Sequence, residues 1–262
     1  MTVARISAVL AAAAIGVAVA GWQGAKSRTY QAFGELTSRV HTEHRLIALT
    51  FDDGPAPGAV AGLIPVLERY GVKATFFVTG SEVERYPEAA AALVAAGHEL
   101  GNHSYSHPRM VFMGQARIAS EIERTDELIR GSGQLGEIHF RPPYGVKGLS
   151  LPYFLDKTGR RTIMWSLEPD SGSQVGSNSA IARHVLVDSQ PGDIILLHVM
   201  YKSRHASLEA VPAIIEGLQA RGFRFVTVSE LLAAESSRCL PCRSMPVAGS
   251  PPRPWSGAVD TR

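Results

Sequence analysis

Two adjacent carboxylates, Asp52 and Asp53, follow an apolar run and stand directly before a Gly-Pro turn. Carboxylates this close repel each other, so both stay ionised only in water or beside a cation. Next to a divalent metal, one carboxylate can be a ligand while the other serves as a base. The alternative is a solvated acidic turn at the end of a strand, and partners elsewhere in the chain must decide between the two.

Two histidines four residues apart, His103 and His107, lie in a polar segment that ends at Pro108. A single turn of chain would align both imidazoles. With Asp53 they would form the two-His, one-carboxylate set of a catalytic metal site, which leaves positions open for water and substrate. Zn²⁺ is the expected cation, with Co²⁺ or Ni²⁺ as alternatives. Asp52 would then be free to act as the general base.

Arg141 stands before two prolines and a Tyr144-Gly145 turn. We expect its guanidinium to orient Asp52 and keep that carboxylate ionised, whereas the alternative is a surface arginine before a rigid turn. The turn could present a backbone amide to a developing oxyanion.

His198 ends the apolar run Ile194 to Leu197. A buried structural histidine is one interpretation. The other is a general acid that protonates the leaving group, as a hydrolase requires. Glu168 or Asp170 could hydrogen-bond to this imidazole and hold it protonated, and the sequence leaves both open.

These residues follow short apolar runs that alternate with stretches of helical period, which predicts parallel strands joined by crossover helices. The predicted strands cover 46–50, 73–78, 98–101, 138–141, 161–166, 193–198 and 224–227. The predicted helices cover 59–70, 82–96, 115–130, 148–158, 178–189, 207–221 and 229–235. We expect left-handed helix caps at Gly71, Gly97, Gly131, Gly159 and Gly222. The repeat predicts a barrel-like or doubly wound α/β fold, in which side chains at the carboxyl ends of the strands gather at one edge.

The N-terminal segment 1–20 has one cation, an apolar run and small residues at Ala18 and Ala20. This pattern predicts a signal peptide cleaved near Gly21, with an uncleaved membrane anchor as the alternative. Either outcome exports the domain to a periplasmic or secreted location, with membrane contact only through an uncleaved segment.

The remaining segments have distinct compositions. We expect a linker or a short helix at 21–44, the folded domain at 45–235 and a disordered Pro-rich tail at 236–262. Cys239 and Cys242 in that tail are interpreted as a local disulfide or idle thiols. Lys and Arg total 26 against 24 Asp and Glu in the 262 residues, without a long block of one sign. Nucleic acid is therefore an unexpected partner.

Four motifs in this order resemble those of the polysaccharide deacetylase family, the NodB homology domain of carbohydrate esterase family 4. They are Thr50-Phe-Asp-Asp-Gly-Pro55, His103-Ser-Tyr-Ser-His107, Arg141-Pro-Pro-Tyr-Gly145 and Leu196-Leu-His198. The resemblance covers roughly 45–235 and implies a distorted (β/α)7-type barrel with parallel strands. It also implies metal-dependent removal of acetyl groups from an acetylated glycan. In that case Asp52 resembles the base, Asp53, His103 and His107 the ligands, Arg141 the partner of the base and His198 the acid.

The chain departs from the family pattern at two places. Glu168 takes the first acidic position after the fifth strand, with Asp170 out of register and no tryptophan after it, and Val199 follows His198 where the family commonly has Asp. O-acetyl glycans or another non-peptide C–N amide are therefore alternative substrates. The contrasting class is a noncatalytic glycan-binding module, which would be indicated by the loss of one or more of the metal ligands.

Overall fold

The structure is a computed structural model that describes residues 2–171 and 176–235, with side chains described from residue 10 onward. The predicted tail and its two cysteines lie outside the described residues. Within the described ranges, no helix is both long and apolar enough to cross a membrane.

The described strands are β1 (Leu36–Thr37), β2 (Leu46–Asp52), β3 (Thr75–Val78), β4 (Glu99–Asn102), β5 (Thr162–Ile163), β6 (Ile194–His198) and β7 (Arg224–Val226). All the paired strands run parallel: the main sheet has the order β4-β3-β2-β6, β7 also pairs with β2, and β1 pairs with β5. The strand β2 is central and buried along all seven residues.

Single-residue bridges extend the parallel pairing around the molecule. They join Asn102 of β4 to Phe140, Phe140 to Thr162 of β5, and Leu167 to Ile195 of β6. The pairing thus returns to β6 by a second route. The fold is the expected distorted α/β barrel with parallel strands.

Two of the predicted strands are much shorter in the structure. The strand predicted at 138–141 is reduced to the bridge at Phe140, because the prolines that follow Arg141 have no amide hydrogen for a ladder. The strand predicted at 161–166 is reduced to β5. After β5 the segment pairs with two different neighbours and does not continue one ladder. The Met164 amide donates to the Thr37 carbonyl, whereas the Ser166 amide donates to the Ile194 carbonyl.

The helices are α1 (Thr2–Lys26), α2 (Pro57–Arg69), α3 (Gly80–Arg85), α4 (Pro87–Ala95), α5 (Gln115–Gly131), α6 (Ser150–Lys157), α7 (Asn178–Asp188), α8 (His205–Ala220) and α9 (Val228–Ala233). The helix predicted at 82–96 is two helices, because Pro87 cannot donate the hydrogen bond that would continue α3. Four predicted glycine caps have positive φ: Gly71, Gly97, Gly159 and Gly222. The cap predicted at Gly131 is wrong, since α5 includes that residue and Gly133 takes a φ of +100°.

The segment 21–44, predicted as a linker, contributes to the folded unit. Strand β1 pairs with β5, and Val40 is 1% exposed with its amide donating to Gly192. Arg39 forms an ion pair of 2.5 Å with the buried Asp193. The prediction missed this because a two-residue strand is too short to show a period of two. The folded unit therefore begins before Arg45.

The side chains of β2 point alternately to its two faces, and each face packs in a different apolar cluster. Ile47, Leu49 and Phe51 pack in the larger cluster with helical residues, whereas Leu46 and Ala48 pack in a second cluster with residues such as Phe77. Because side chains alternate along a strand, Asp52 shares the face of Leu46 and Ala48. The sequence of β2 thus directs Asp52 toward the barrel interior.

Candidate active site

Asp52 lies at the carboxyl end of β2, 2% exposed, and is held by the fully buried Arg141. The Arg141 Nη1 donates to Asp52 Oδ1 at 2.6 Å and to Thr50 Oγ1 at 2.8 Å. Its Nη2 donates to the Met164 carbonyl at 3.1 Å, and the guanidinium lies 3.9 Å from the centre of the Phe77 ring. Burial lowers the pKa of Arg141, and the Asp52 charge opposes that effect. The fixed cation therefore holds one oxygen of Asp52 and leaves the other for chemistry.

Asp53 leaves the strand in a left-handed conformation, with a φ of 71°. Its amide donates to the Phe77 carbonyl at 3.0 Å, which fixes the turn. Its Oδ1 is buried without a hydrogen-bond partner among the described residues, and lies 3.4 Å from His107 Nε2 and 4.0 Å from His103 Nε2. A buried carboxylate oxygen without a donor requires another positive partner.

His103 is 2% exposed, and its two ring nitrogens have different partners. Its Nδ1 lies 2.8 Å from the backbone carbonyl of Arg141. A carbonyl can only accept, so Nδ1 carries the hydrogen and Nε2 has a free lone pair directed at the carboxylates. Arg141 thus acts twice at the site, through its guanidinium on Asp52 and through its carbonyl on His103.

His107 also has a left-handed backbone, with a φ of 53°. Burial, followed by the electrostatic effect of the neighbouring His103, lowers the pKa of His107 to about 4. The imidazole is therefore neutral near pH 7, which is the state that binds a metal. Its ring lies 4.5 Å from that of Tyr144, centre to centre.

The loop that carries both histidines is held by two residues that sequence analysis missed, Asn102 and Glu121. Asn102 Oδ1 accepts from the Ser104 amide at 2.8 Å. Glu121 of α5 accepts from the amides of Tyr105 at 3.0 Å and Ser106 at 2.8 Å. Only Asn102 stood near a motif in the sequence, whereas Glu121 is one of several charged residues in a helix. The one feature of the sequence that could have indicated Glu121 is an acidic residue on the side of α5 that becomes buried.

His198 lies opposite Asp52 in the register between β6 and β2. Asp170 accepts from the His198 amide at 2.7 Å, and its Oδ1 lies 3.2 Å from His198 Nδ1. Burial lowers the pKa of His198, but the hydrogen bond to Asp170 and the charge of Asp52 outweigh it and raise the pKa to about 8. Burial likewise tends to raise the pKa of Asp170, but the hydrogen bond and charge of His198 leave it below its ordinary value. This pair keeps the imidazole protonated near neutral pH.

The structure separates the two acidic candidates beside His198. Asp170 contacts the imidazole, whereas Glu168 accepts from Trp165 Nε1 at 2.8 Å and lies 3.9 Å from Arg28. Glu168 therefore lies beside Trp165 and Arg28 and not beside His198. Ser207 Oγ also donates to Asp170, at 2.8 Å, which helps to fix this carboxylate beside the imidazole.

Tyr144 lies in the turn at the rim, with a φ of 58° and 53% of its surface exposed. The Gly145 amide donates to the Pro142 carbonyl at 3.0 Å. That amide is therefore engaged within the turn. Within the Tyr144-Gly145 turn, the amide of Tyr144 is therefore the candidate donor to an oxyanion.

The residues present fit a metal ion. The ligand atoms of Asp53, His103 and His107 all lie within 4.8 Å of one another. The unpartnered Asp53 oxygen and the lone pair of His103 Nε2 are the donor types that such an ion needs. A parallel α/β barrel with this set and an acid–base pair at one rim has the architecture of a hydrolase.

Comparison with known proteins agrees with this class. The family model described as polysaccharide deacetylase matches residues 39–163. A peptidoglycan-N-acetylglucosamine deacetylase of Bacillus cereus is 32% identical over 205 residues, which cover 76% of this chain and 93% of the relative. The chain belongs to the polysaccharide deacetylase family (carbohydrate esterase family 4), whose enzymes hydrolyse non-peptide carbon–nitrogen bonds.

Two solved structures extend the comparison. A peptidoglycan N-acetylglucosamine deacetylase in complex with an N-hydroxy benzamide is 28% identical with a TM-score of 0.71, covering 75% of this chain and 92% of that chain. A mutant of a Bacillus anthracis family pseudoenzyme, with restored enzymatic activity, is 27% identical with a TM-score of 0.69, covering 78% of this chain and 73% of that chain.

Proposed function

We propose that this protein is an exported, metal-dependent deacetylase that hydrolyses acetyl groups from N-acetylated sugars of chitin-like or peptidoglycan-type glycans. The main support for the proposal is that the adjacent carboxylates Asp52 and Asp53 have different partners. Asp52 is bound by Arg141, whereas Asp53 faces His103 and His107 with an unpartnered buried oxygen. The resemblance to a deacetylase that covers nearly the whole relative supports the reaction class.

Asp53, His103 and His107 would hold the cation, for which Zn²⁺ is proposed because the donors are one carboxylate and two imidazoles. A bound cation would polarise the acetyl carbonyl and increase the acidity of a nearby water. Asp52, held in place by Arg141, accepts the proton of the attacking water. The Tyr144 amide donates a hydrogen bond to the developing oxyanion.

Collapse of the tetrahedral intermediate breaks the bond between carbon and nitrogen. His198 donates its proton to the departing amine, and acetate is the second product. Asp170 supports this step because its hydrogen bond keeps His198 protonated until the transfer. The base and the acid therefore stand on adjacent strands, β2 and β6, in register.

The contrasting function is a noncatalytic glycan-binding module, since the family includes a pseudoenzyme. That alternative predicts the loss of a ligand, base or acid. Here the three candidate ligands come together, and both Asp52 and His198 have their partners. Catalysis is the better supported function.

Acetate release tests the proposal. The purified protein, with Zn²⁺ added, is incubated with chitin oligomers, soluble peptidoglycan fragments and acetylated xylan, and acetate and free amine are both measured. We expect equal amounts of acetate and amine from at least one N-acetylated glycan. Acetate without amine would indicate O-deacetylation, and no acetate from the whole panel would contradict the proposal. The N-terminal mass of protein recovered outside the cytoplasm tests export and distinguishes cleavage near Gly21 from a retained anchor.

A further inference from the structure

A second cavity, of about 370 Å³, lies beside the start of α5. Its lining includes the guanidinium groups of Arg109 and Arg117 and the rings of Trp22 and Phe112, and its other residues are apolar or glycine. Phe112 is 96% exposed and Trp22 is 41% exposed. Among the described residues that line this cavity, none is acidic. Its chemistry is therefore cationic and aromatic.

The two arginines are available to a ligand. In the described part of the chain, neither guanidinium forms an ion pair. The acid one helical turn beyond Arg117 is Glu121, whose carboxylate is occupied by Tyr105 and Ser106. Lys26 adds a third positive charge, with its Nζ 4.8 Å from the centre of the Trp22 ring. An anion entering the cavity would meet two arginines, with the Lys26 ammonium beside the Trp22 wall.

The cavity is connected to the candidate metal site through Arg109. This guanidinium lies 4.4 Å from the centre of the Tyr144 ring, and that ring lies 4.5 Å from the ring of His107. Arg109 therefore borders both the rim of the active site and the cavity. A polymeric substrate with one sugar at the metal site would extend a neighbouring sugar toward these residues.

We propose that this cavity binds a carboxylate-bearing sugar next to the sugar that is deacetylated. The inference rests on the proposed deacetylase function and narrows its substrate to acidic glycans, such as those with lactyl carboxylates. A guanidinium binds a carboxylate through paired, charge-assisted hydrogen bonds. The faces of Trp22 and Phe112 offer apolar contact to the sugar ring. Trp22 lies after the predicted cleavage position, so both forms of the protein contain it.

A matched pair of substrates tests the proposal. One is a soluble peptidoglycan tetrasaccharide with free lactyl carboxylates, and the other is the same compound with these groups converted to carboxamides. We expect kcat/KM for the wild type to be about tenfold higher with the carboxylate form, as one charge-assisted contact allows. In the double variant R109Q/R117Q this preference falls to less than about twofold. The control is R183Q, which removes an exposed arginine of α7 and keeps the preference.

Three results would overturn the proposal. The wild type could show no preference, the double variant could keep it, or R183Q could lose it to the same extent. Vesicles of phosphatidylglycerol provide a further arm. If the double substitution abolishes vesicle binding and leaves the substrate preference intact, the cavity is a lipid contact and the glycan assignment is wrong.

Binding of both tetrasaccharides to the D52N variant separates this proposal from the proposed catalysis. Calorimetry should give a Kd about tenfold lower for the carboxylate form, and R109Q/R117Q in the D52N background should remove the difference. If the wild type releases no acetate but the Kd difference is present, the deacetylase assignment fails and the binding site stands. Equal Kd values in the D52N variant would contradict the binding site alone.

Discussion

Asp52 and Asp53 are neighbours in the chain, but their environments differ because the backbone turns between them. Asp52 is the last residue of β2 and faces the barrel interior, where Arg141 holds it. Asp53 has a φ of 71° and faces the two histidines. A sequence shows that two carboxylates are adjacent, but the direction of each follows from this turn. The doublet thus offers one carboxylate for the proposed base and another for the proposed metal ligand.

Asp52→Asn should lower kcat by at least about 100-fold, because an amide cannot accept the proton of water. Metal bound per protein should stay unchanged, since Asp52 is not among the three candidate ligands. Acetate release and metal analysis of the same sample measure the two effects. Retained turnover would remove Asp52 from the role of base, and loss of metal would make it a ligand.

We expect His198 to give the proposed reaction an alkaline limit. Because its pKa is raised to about 8, its acid form is present at neutral pH and is lost as pH rises through 8. The same sign holds for stability: the contribution from the raised pKa of His198 is fully present below the ordinary pKa of about 6.5 and disappears as pH rises through the folded-state value of about 8. We expect kcat to fall above about pH 8.

Asp170→Asn should move this alkaline limb to lower pH, because His198 loses its charged hydrogen-bond partner. Glu168→Gln is the matched control, since Glu168 contacts Trp165 and not His198. Profiles of kcat against pH for the wild type and both variants measure the effect. If the profile of Asp170→Asn matches that of the wild type, Asp170 does not set the protonation of His198.

At the scale of elements, the strand ends could be predicted from the sequence but the loop supports could not. The apolar runs of β2 and β6 identified Asp52 and His198 at their carboxyl ends, because buried parallel strands are continuous apolar segments. Glu121 escaped prediction because its partners are backbone amides of another segment, 105–106. Long-range hydrogen bonds of this kind have no local sequence pattern.

Glu121→Gln should weaken metal binding by about tenfold to 100-fold, because the amide holds the loop amides of Tyr105 and Ser106 less strongly than the carboxylate does. Glu123→Gln, an exposed position of the same helix, is the control. Competition with a chromogenic chelator measures the Kd for Zn²⁺. Equal values for the two variants would show that Glu121 does not support the metal site.

At the scale of the whole molecule, the segment before Arg45 is part of the barrel. Strand β1 pairs with β5, and the Val40 amide donates a hydrogen bond to the Gly192 carbonyl. The parallel α/β class was predictable from the alternation of strands and helices, and the distorted barrel from the resemblance of the four motifs to the family. The packing of segment 21–44 against the barrel was not predictable, because its contacts involve only a few residues whose partners lie more than a hundred positions away.

Val40→Ala should lower the free energy of unfolding by about 2 kcal/mol, because it removes two buried methyl groups and leaves a cavity. Val187→Ala is the control, since Val187 is 72% exposed. Its expected effect is below about 0.5 kcal/mol. Urea denaturation of the full chain measures both changes. If Val40→Ala has no more effect than the control, segment 21–44 behaves as the linker that the sequence predicted.

We propose that one cation at Asp53, His103 and His107 enables deacetylation. The most direct measurement is the rate of acetate release by metal-free protein as Zn²⁺ is added stepwise, with the best N-acetylated glycan of the panel as substrate. We predict no release without metal and a linear rise that ends at about one equivalent per chain, as a single three-ligand site requires. Acetate release that is independent of added metal and unaffected by chelation would contradict the account.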